Sequence, residues 1–205
     1  MVKIKEIEKS TEIKILEAAK QEFLERGFDG ARMQKIAERA GINKALLHYY
    51  FRSKENLFKA IFQSVFENFF PKVVKTFQSE ISFFDKLKFF IDNYIDVLSK
   101  NPFLPAFILH EIQLRPEMLI NSMKEQGFNP SVFLNMFKRE MENGVICNMR
   151  VEHLVVNILS MCIFPVAAAP IIKGMIFKND DIEYQQFLEE RKIIVYEFVV
   201  NSIKK

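Results

Sequence analysis

Between Arg32 and Lys54, in RMQKIAERAGINKALLHYYFRSK, six cations (Arg32, Lys35, Arg39, Lys44, Arg52 and Lys54) stand against one carboxylate, Glu38. The resulting charge of +5 is local: residues 1–54 hold 12 Lys or Arg and 8 Asp or Glu, whereas residues 55–205 hold 17 and 18. A short cationic stretch interleaved with His48, Tyr49 and Tyr50 is suited to a polyanion, because it offers charge to phosphates and flat, hydrogen-bonding side chains beside it. Elsewhere the reactive residue types do not assemble. His110-Glu111 lacks a second histidine three residues on, no glycine-rich phosphate loop or nucleophile motif occurs, and Cys147 and Cys162 show neither metal-ligand spacing nor a disulfide framework. The expectation is a binding protein rather than an enzyme, with no metal and no cofactor.

The cationic stretch needs two short helices to present it. Met33, Ile36, Ala37 and Ala40 recur at spacings of 0, 3, 4 and 7, a single apolar stripe at the helical period. Gly41 supplies the left-handed residue that ends such a helix, Ile42 the apolar contact beyond it, and Asn43 a cap for the next. In that next helix Leu47, Tyr50 and Phe51 can face inward, which leaves Lys44, Ala45, His48 and Tyr49 outward. A preceding helix is expected to start near Ser10 or Thr11, to bury Ile15, Leu16, Ala19 and Phe23, and to stop at Gly27 with Phe28 as its apolar partner.

The 205 residues fit one domain and a small accessory one, and 49% hydrophobic against 27% charged residues describe a water-soluble chain. Nineteen of the 22 Phe follow residue 54. A long helix is expected from Ser53 through Leu57, Ile61, Val65 and Phe69 until Pro71 ends it. Further helices are expected with Phe84, Leu87, Ile91, Tyr94, Ile95 and Leu98 inward up to Asn101-Pro102, over 103–114, from Asn129-Pro130 to Gly144 with Phe133, Met136, Phe137 and Met141 inward, over 150–164, and from Asp180 or Asp181 onward, carrying Phe187, Leu188, Ile194, Val195, Phe198 and Val199. Leu154 to Ile172 is a run of 19 residues without a charge. Pro165 and Pro170 divide it, so a buried or interface helix is expected in place of a membrane span. The first residues, MVKIKEIEKS, lack an apolar signal-peptide core, and a reducing cytoplasm is the expected location.

From Ile15 to Leu57 the sequence resembles the DNA-binding domain of the TetR (tetracycline-repressor) family of transcription regulators. The shared features are Gly27-Phe28, Ile36-Ala37, Ala40-Gly41-Ile42 and Tyr49-Tyr50-Phe51-Arg52-Ser53-Lys54-Glu55. The resemblance implies an all-α fold with a helix-turn-helix domain over 1–54 and a helical effector-binding and dimerisation domain over 55–205. It implies double-stranded operator DNA, a hydrophobic small-molecule effector and a homodimer as partners, and no membrane. DNA contacts would fall to Arg32, Gln34, Asn43, Lys44, Ala45, Leu46, His48, Tyr49, Tyr50 and Lys54, with His48 donating to a base or phosphate. Phe84, Phe107, His110, Met118, Met136, Phe137 and Met161 would surround the ligand, and Val155, Leu159, Phe187, Ile194, Val195 and Phe198 would meet the second subunit.

The chain departs from its relatives at four places. Arg32 stands where Ser or Thr usually caps the second helix, Ala45-Leu46 where Gly-Thr or Gly-Ala is usual, and His48 where Tyr is usual. The resemblance implies a repressor released from a palindromic operator by its ligand, and the operator itself is expected to differ from those of relatives. A helical small-molecule carrier and a ligand-independent DNA binder are the rival readings.

Overall fold

The computed structural model describes residues 2–205 apart from 68, 115 and 126, and the backbone alone at residues 2–9, 107, 110, 111, 114, 118, 119 and 122. The described residues form helices α1 (Val2–Gly30), α2 (Met33–Arg39), α3 (Lys44–Phe51), α4 (Lys54–Phe66), α5 (Phe69–Gln78) and α6 (Phe83–Lys100). They continue as α7 (Leu104–Leu114), α8 (Pro116–Glu125), α9 (Pro130–Glu142), α10 (Val151–Ala167), α11 (Ala169–Met175) and α12 (Asp181–Ile203). One isolated bridge, Ile146 to Lys204, ties the α9–α10 loop to the end of α12.

Several helix ends are written locally. Gly27 takes φ 66° and breaks α1 one turn before its end, and Phe28 stacks on Phe23 with ring centroids 5.8 Å apart. Gly41, at φ 68°, ends α2: its N–H reaches the Glu38 carbonyl at 3.2 Å and the Ile42 N–H the Ala37 carbonyl at 3.0 Å, the paired bonds of a Schellman end. Asn43, Ser53, Ser82, Asn129 and Asp180 each cap the following helix with a side-chain oxygen.

Four expectations need correcting. The first helix does not start at Ser10 or Thr11 but runs back to Val2, through a Lys- and Glu-rich segment with no helix breaker. The long helix from Ser53 ends at Phe66, and Pro71 lies in the first turn of α5. A proline clashes with the carbonyl four residues before it, so the break falls one turn upstream and Pro71 begins a helix in place of ending one. Helix α8 was not foreseen. Helix α10, expected over 150–164, continues through Pro165 to Ala167, and the stretch after it, for which no helix was expected, contains α11. Among the described residues no single helix is long and apolar enough to cross a membrane, and α10 and α11, which together have the composition, are bent by 68°.

The interior divides into two apolar clusters. The first joins Ile15, Ala19 and Phe23 of α1, Ile36 and Ala37 of α2, and Leu47 and Phe51 of α3 to Leu57, Phe58, Ile61 and Phe62 of α4. It runs on without a gap into Phe69, Phe70, Val73 and Phe77 of α5. The second joins Leu87, Ile91, Ile95 and Leu98 of α6 to Leu154, Ile158, Cys162 and Val166 of α10 and to Tyr184, Leu188, Val195 and Val199 of α12. Helix α6 lies against α5, α10 and α12 and is the axle of the larger unit.

Candidate functional site

The two-helix unit is held by its underside. Ile36, Ala37 and Leu47 have no solvent exposure, so α2 and α3 are fixed to α1 and α4 through their apolar stripes. Their outer side carries Arg32, Gln34, Lys44, Ala45, Leu46 and Tyr49, all exposed, with Tyr49 at 77%. Tyr50 is half-buried and sits edge-on to Tyr49, centroids 5.6 Å apart, so it forms the root on which the exposed ring stands. Arg32 occupies the cap position of α2 without a capping hydrogen bond, as its lack of a short oxygen requires. Asn43 spends its side-chain oxygen on the Leu46 N–H at 2.8 Å, which makes it a positioning residue for α3.

The cations are not equivalent. Arg39, itself exposed, is paired with Glu25 and with Glu22, 3.1 Å away and only 3% exposed, and the Glu25 hydrogen bond raises its pKa. Lys35 pairs with Glu38 at 2.7 Å and holds that carboxyl below its ordinary pKa. Arg32, Lys44 and Arg52 pair with no carboxylate among the described residues, and so carry the outward charge.

Lys54 and His48 differ from expectation. The Lys54 ammonium donates to the carbonyls of Phe28 at 2.7 Å, Asp29 at 3.2 Å and Ala31 at 3.3 Å, and lies 4.6 Å from the Phe28 ring centroid. Its three N–H bonds are thus engaged by the last turn of α1 and by Ala31 just after it, and a phosphate would have to displace one of them. His48 Nδ1 lies 2.9 Å from the Arg52 carbonyl oxygen, which can only accept. The proton must therefore sit on Nδ1, and in the neutral ring the outward Nε2 is an acceptor rather than the expected donor. The same contact closes the end of α3, where Arg52 takes φ 51° and its N–H bonds the His48 carbonyl at 2.9 Å.

Within the larger unit, α5, α6, α9 and α10 line a partly open apolar cavity of about 140 Å³. Its walls expose almost no nitrogen or oxygen and include five Phe: Phe77, Phe90, Phe128, Phe133 and Phe137. Of the residues expected to surround a ligand, Met136 and Phe137 line it. Phe84 instead packs on Phe83, centroids 5.4 Å apart, and Met161 faces a separate shallow depression with Phe164, Phe187 and Arg191. The side chains of Phe107, His110 and Met118 lie outside the described ones. Sequence reading missed Phe77, Phe90, Phe128 and Phe133 as wall residues. Only the inward stripe containing Phe133 hinted at one, because a cavity between four helices has no local signature.

The outer face of α10 and α12 is apolar and exposed, with Val156 at 60%, Phe164 at 63%, Ile194 at 53% and Phe198 at 65%. Of the residues expected to meet a second subunit, Ile194 and Phe198 point outward and Phe187 is half-buried at the edge. Val155 and Leu159 line the cavity, and Val195 is buried at 1% in its own chain. The helical phase explains the error: one residue turns the direction by 100°, so Val156 looks out where Val155 looks in.

Residues 15–61 match the family described as bacterial regulatory proteins, tetR family. The probable HTH-type transcriptional regulator YttP of Bacillus subtilis is 23% identical over 190 residues, 90% of this chain and 91% of that one. The HTH-type transcriptional regulator RutR of Escherichia coli is 45% identical over 53 residues, 26% of this chain and 25% of that one. The crystal structure of the transcriptional regulator FadR from Bacillus subtilis, determined with stearoyl-CoA, superposes with a TM-score of 0.67 at 19% identity, over 93% of this chain and 98% of that one. With a glycine-ended two-helix unit over the matched residues and a helical body behind it, the chain carries a DNA-binding domain of the tetR type and is a helix-turn-helix transcriptional regulator.

Proposed function

We propose that the protein is a ligand-responsive repressor that binds a palindromic operator as a homodimer and leaves it when a hydrophobic small molecule fills the cavity between α5, α6, α9 and α10. The observation that carries this reading is the pairing of an outward cationic recognition surface with an apolar-walled cavity between helices in the same chain. The functional division is kept at 54/55, with residues 1–54 as the reading head and 55–205 as sensor and dimer unit, although the first apolar cluster crosses it. The FadR structure contains stearoyl-CoA, whose acyl chain is apolar, which supports a sensor unit of this shape holding a ligand with a hydrocarbon part. The relatives are transcriptional regulators, which supports a non-enzymatic role in the cytoplasm.

In this reading Lys44 and Arg32 neutralise phosphates, Tyr49 and Gln34 add hydrogen bonds, Ala45 and Leu46 pack against a thymine methyl, and His48 presents Nε2 to a base-edge donor. Lys54, Asn43 and Tyr50 position these groups. Two recognition helices in successive major grooves need about 34 Å between them. The second subunit meets Val156, Phe164, Ile194 and Phe198, and Phe187 at the edge. Selection of bound fragments from the encoding genome should return palindromes, and gel-shift on them should show loss of binding with an apolar ligand. A protein that retains no fragment would be a carrier, and one that ignores every apolar compound would be a ligand-independent binder.

A further inference from the structure

We infer that the cavity takes a small uncharged hydrocarbon group, an aryl ring or a compact aliphatic chain, and rejects an ion of the same size. The inference deepens the sensor reading above and rests on it for its regulatory consequence only. Its first support is chemical. Every wall residue is Phe, Leu, Met, Pro, Val or Ile, so no side chain is present to hydrogen-bond a carboxylate, ammonium or amide. An ion entering such a site loses its hydration and gains nothing in exchange, so it stays in water. Tyr94, stacked on Phe90 at 5.6 Å, is the nearby hydroxyl, and it is not one of the wall residues.

The second support is size. At about 140 Å³ the cavity matches the dry apolar cavities of roughly 150 Å³ that take benzene in other proteins. A long acyl chain would need the helices to part. Selection therefore acts on shape and neutrality, and the discriminating contacts are the rings of Phe77, Phe90 and Phe133.

The third support is position. Val155, Ile158 and Leu159 present one side of α10 to the cavity, while Val156 and Phe164 on the same helix look outward. Phe77 brings in α5, which follows α4 and the reading head. An occupant thus bears at once on the helix that offers the dimer face and on the helix connected to the DNA-reading unit. A ligand that prefers one spacing of α5 and α10 shifts the population of dimers that fit the operator.

The test uses the full chain and three probes, benzene, benzoate and isopropylbenzene, the neutral hydrocarbon of benzoate's shape, read by thermal unfolding and by ligand-observed NMR. Benzene and isopropylbenzene should raise Tm by a few degrees and show saturable binding, and benzoate should do neither; isopropylbenzene that fails with benzoate would overturn rejection by charge. The cavity-filling variants Leu159→Phe and Val155→Phe should lose the benzene shift. Equal binding of benzoate would overturn the inference, as would a benzene shift that survives in both variants. Should a variant fail to fold, the benzene and benzoate arms on the unaltered protein decide alone. A selected DNA fragment separates the two readings. Benzene that binds and weakens the DNA complex supports both. Benzene that binds while DNA affinity stays constant supports the hydrocarbon site and overturns the ligand-responsive repressor.

Discussion

Two residues of the reading head show how a contact already made decides what a side chain has left to offer. His48 has one ring nitrogen committed to the Arg52 carbonyl, so what it shows the outside is a single acceptor when neutral. In the major groove the matching donors are the amino groups of adenine and cytosine. His48→Phe is expected to reduce the preference for the selected operator over its single-base variants by about 1–3 kcal/mol at one position, with the salt dependence unchanged. Fragment competition at fixed salt measures this, and a preference that stays intact would remove the base contact.

Lys54 makes the opposite case. Its charge was legible in the sequence, but its three carbonyl partners were not, because they lie 23 to 26 residues away, in the last turn of α1 and at Ala31 just after it. Lys54→Met keeps the aliphatic stem and deletes the donors, and should cost about 2 kcal/mol of stability while leaving the slope of log affinity against log salt as it was. Lys44→Ala should do the reverse, with Tm unmoved and the slope lowered by about 0.9. If Lys54→Met flattens the slope and Lys44→Ala does not, the two assignments must be exchanged. Cys162 adds a chemical check. Burial pushes its thiol up to about 12, so it stays a neutral, unreactive thiol near pH 8, and alkylation of the native protein should mark the half-exposed Cys147 alone.

At the scale of elements, what the sequence disclosed was whatever a helix settles within its own few residues. The glycine ends at Gly27 and Gly41 and the caps at Asn43, Ser53 and Asn129 are local, and they fall where residue types place them. Pro165 is the contrary example. Read alone it should end α10, since it lacks an N–H and leaves the Met161 carbonyl, four residues back, without its helical donor. That carbonyl instead accepts from Arg191 Nη2 at 2.9 Å, thirty residues along the chain on α12, and the Pro165 carbonyl accepts from Tyr184 Oη at 2.9 Å. A helix from another part of the sequence thus supplies the bond that the proline removes. Burial lowers the Arg191 pKa, the direction expected for a cation turned toward the core. The expected signature is non-additive: Arg191→Met alone should destabilise by about 1–2 kcal/mol, and in a Pro165→Ala background, where the chain can donate to Met161 itself, by clearly less. Denaturant melts of the four proteins give the coupling, and a value near zero would mean that Arg191 acts elsewhere.

At the scale of the molecule, one helix has to serve two surfaces. Helix α10 presents Val155, Ile158 and Leu159 to the cavity and Val156 and Phe164 to the outside, and α12 presents Val195 and Val199 to the core while Ile194 and Phe198 look out. A change of cavity volume that turns α10 is therefore felt on the outer face without an intermediary, whereas the reading head lies further off, through α5 and the break before α5 that interrupts the single helix expected from Ser53 to Pro71. Phe198→Glu places a charge in the proposed contact between subunits and leaves the chain's own core untouched. It should yield a folded monomer with unchanged helical content and an operator affinity lower by more than about tenfold, since one half-site alone remains. Val195→Glu, one turn of phase away and only 1% exposed, should unfold the chain before it dissociates any dimer. Sedimentation and circular dichroism on the pair separate an interface residue from a core residue. A Phe198→Glu protein that still sediments as a dimer would move the contact off this face and, with it, the argument that α10 carries the signal.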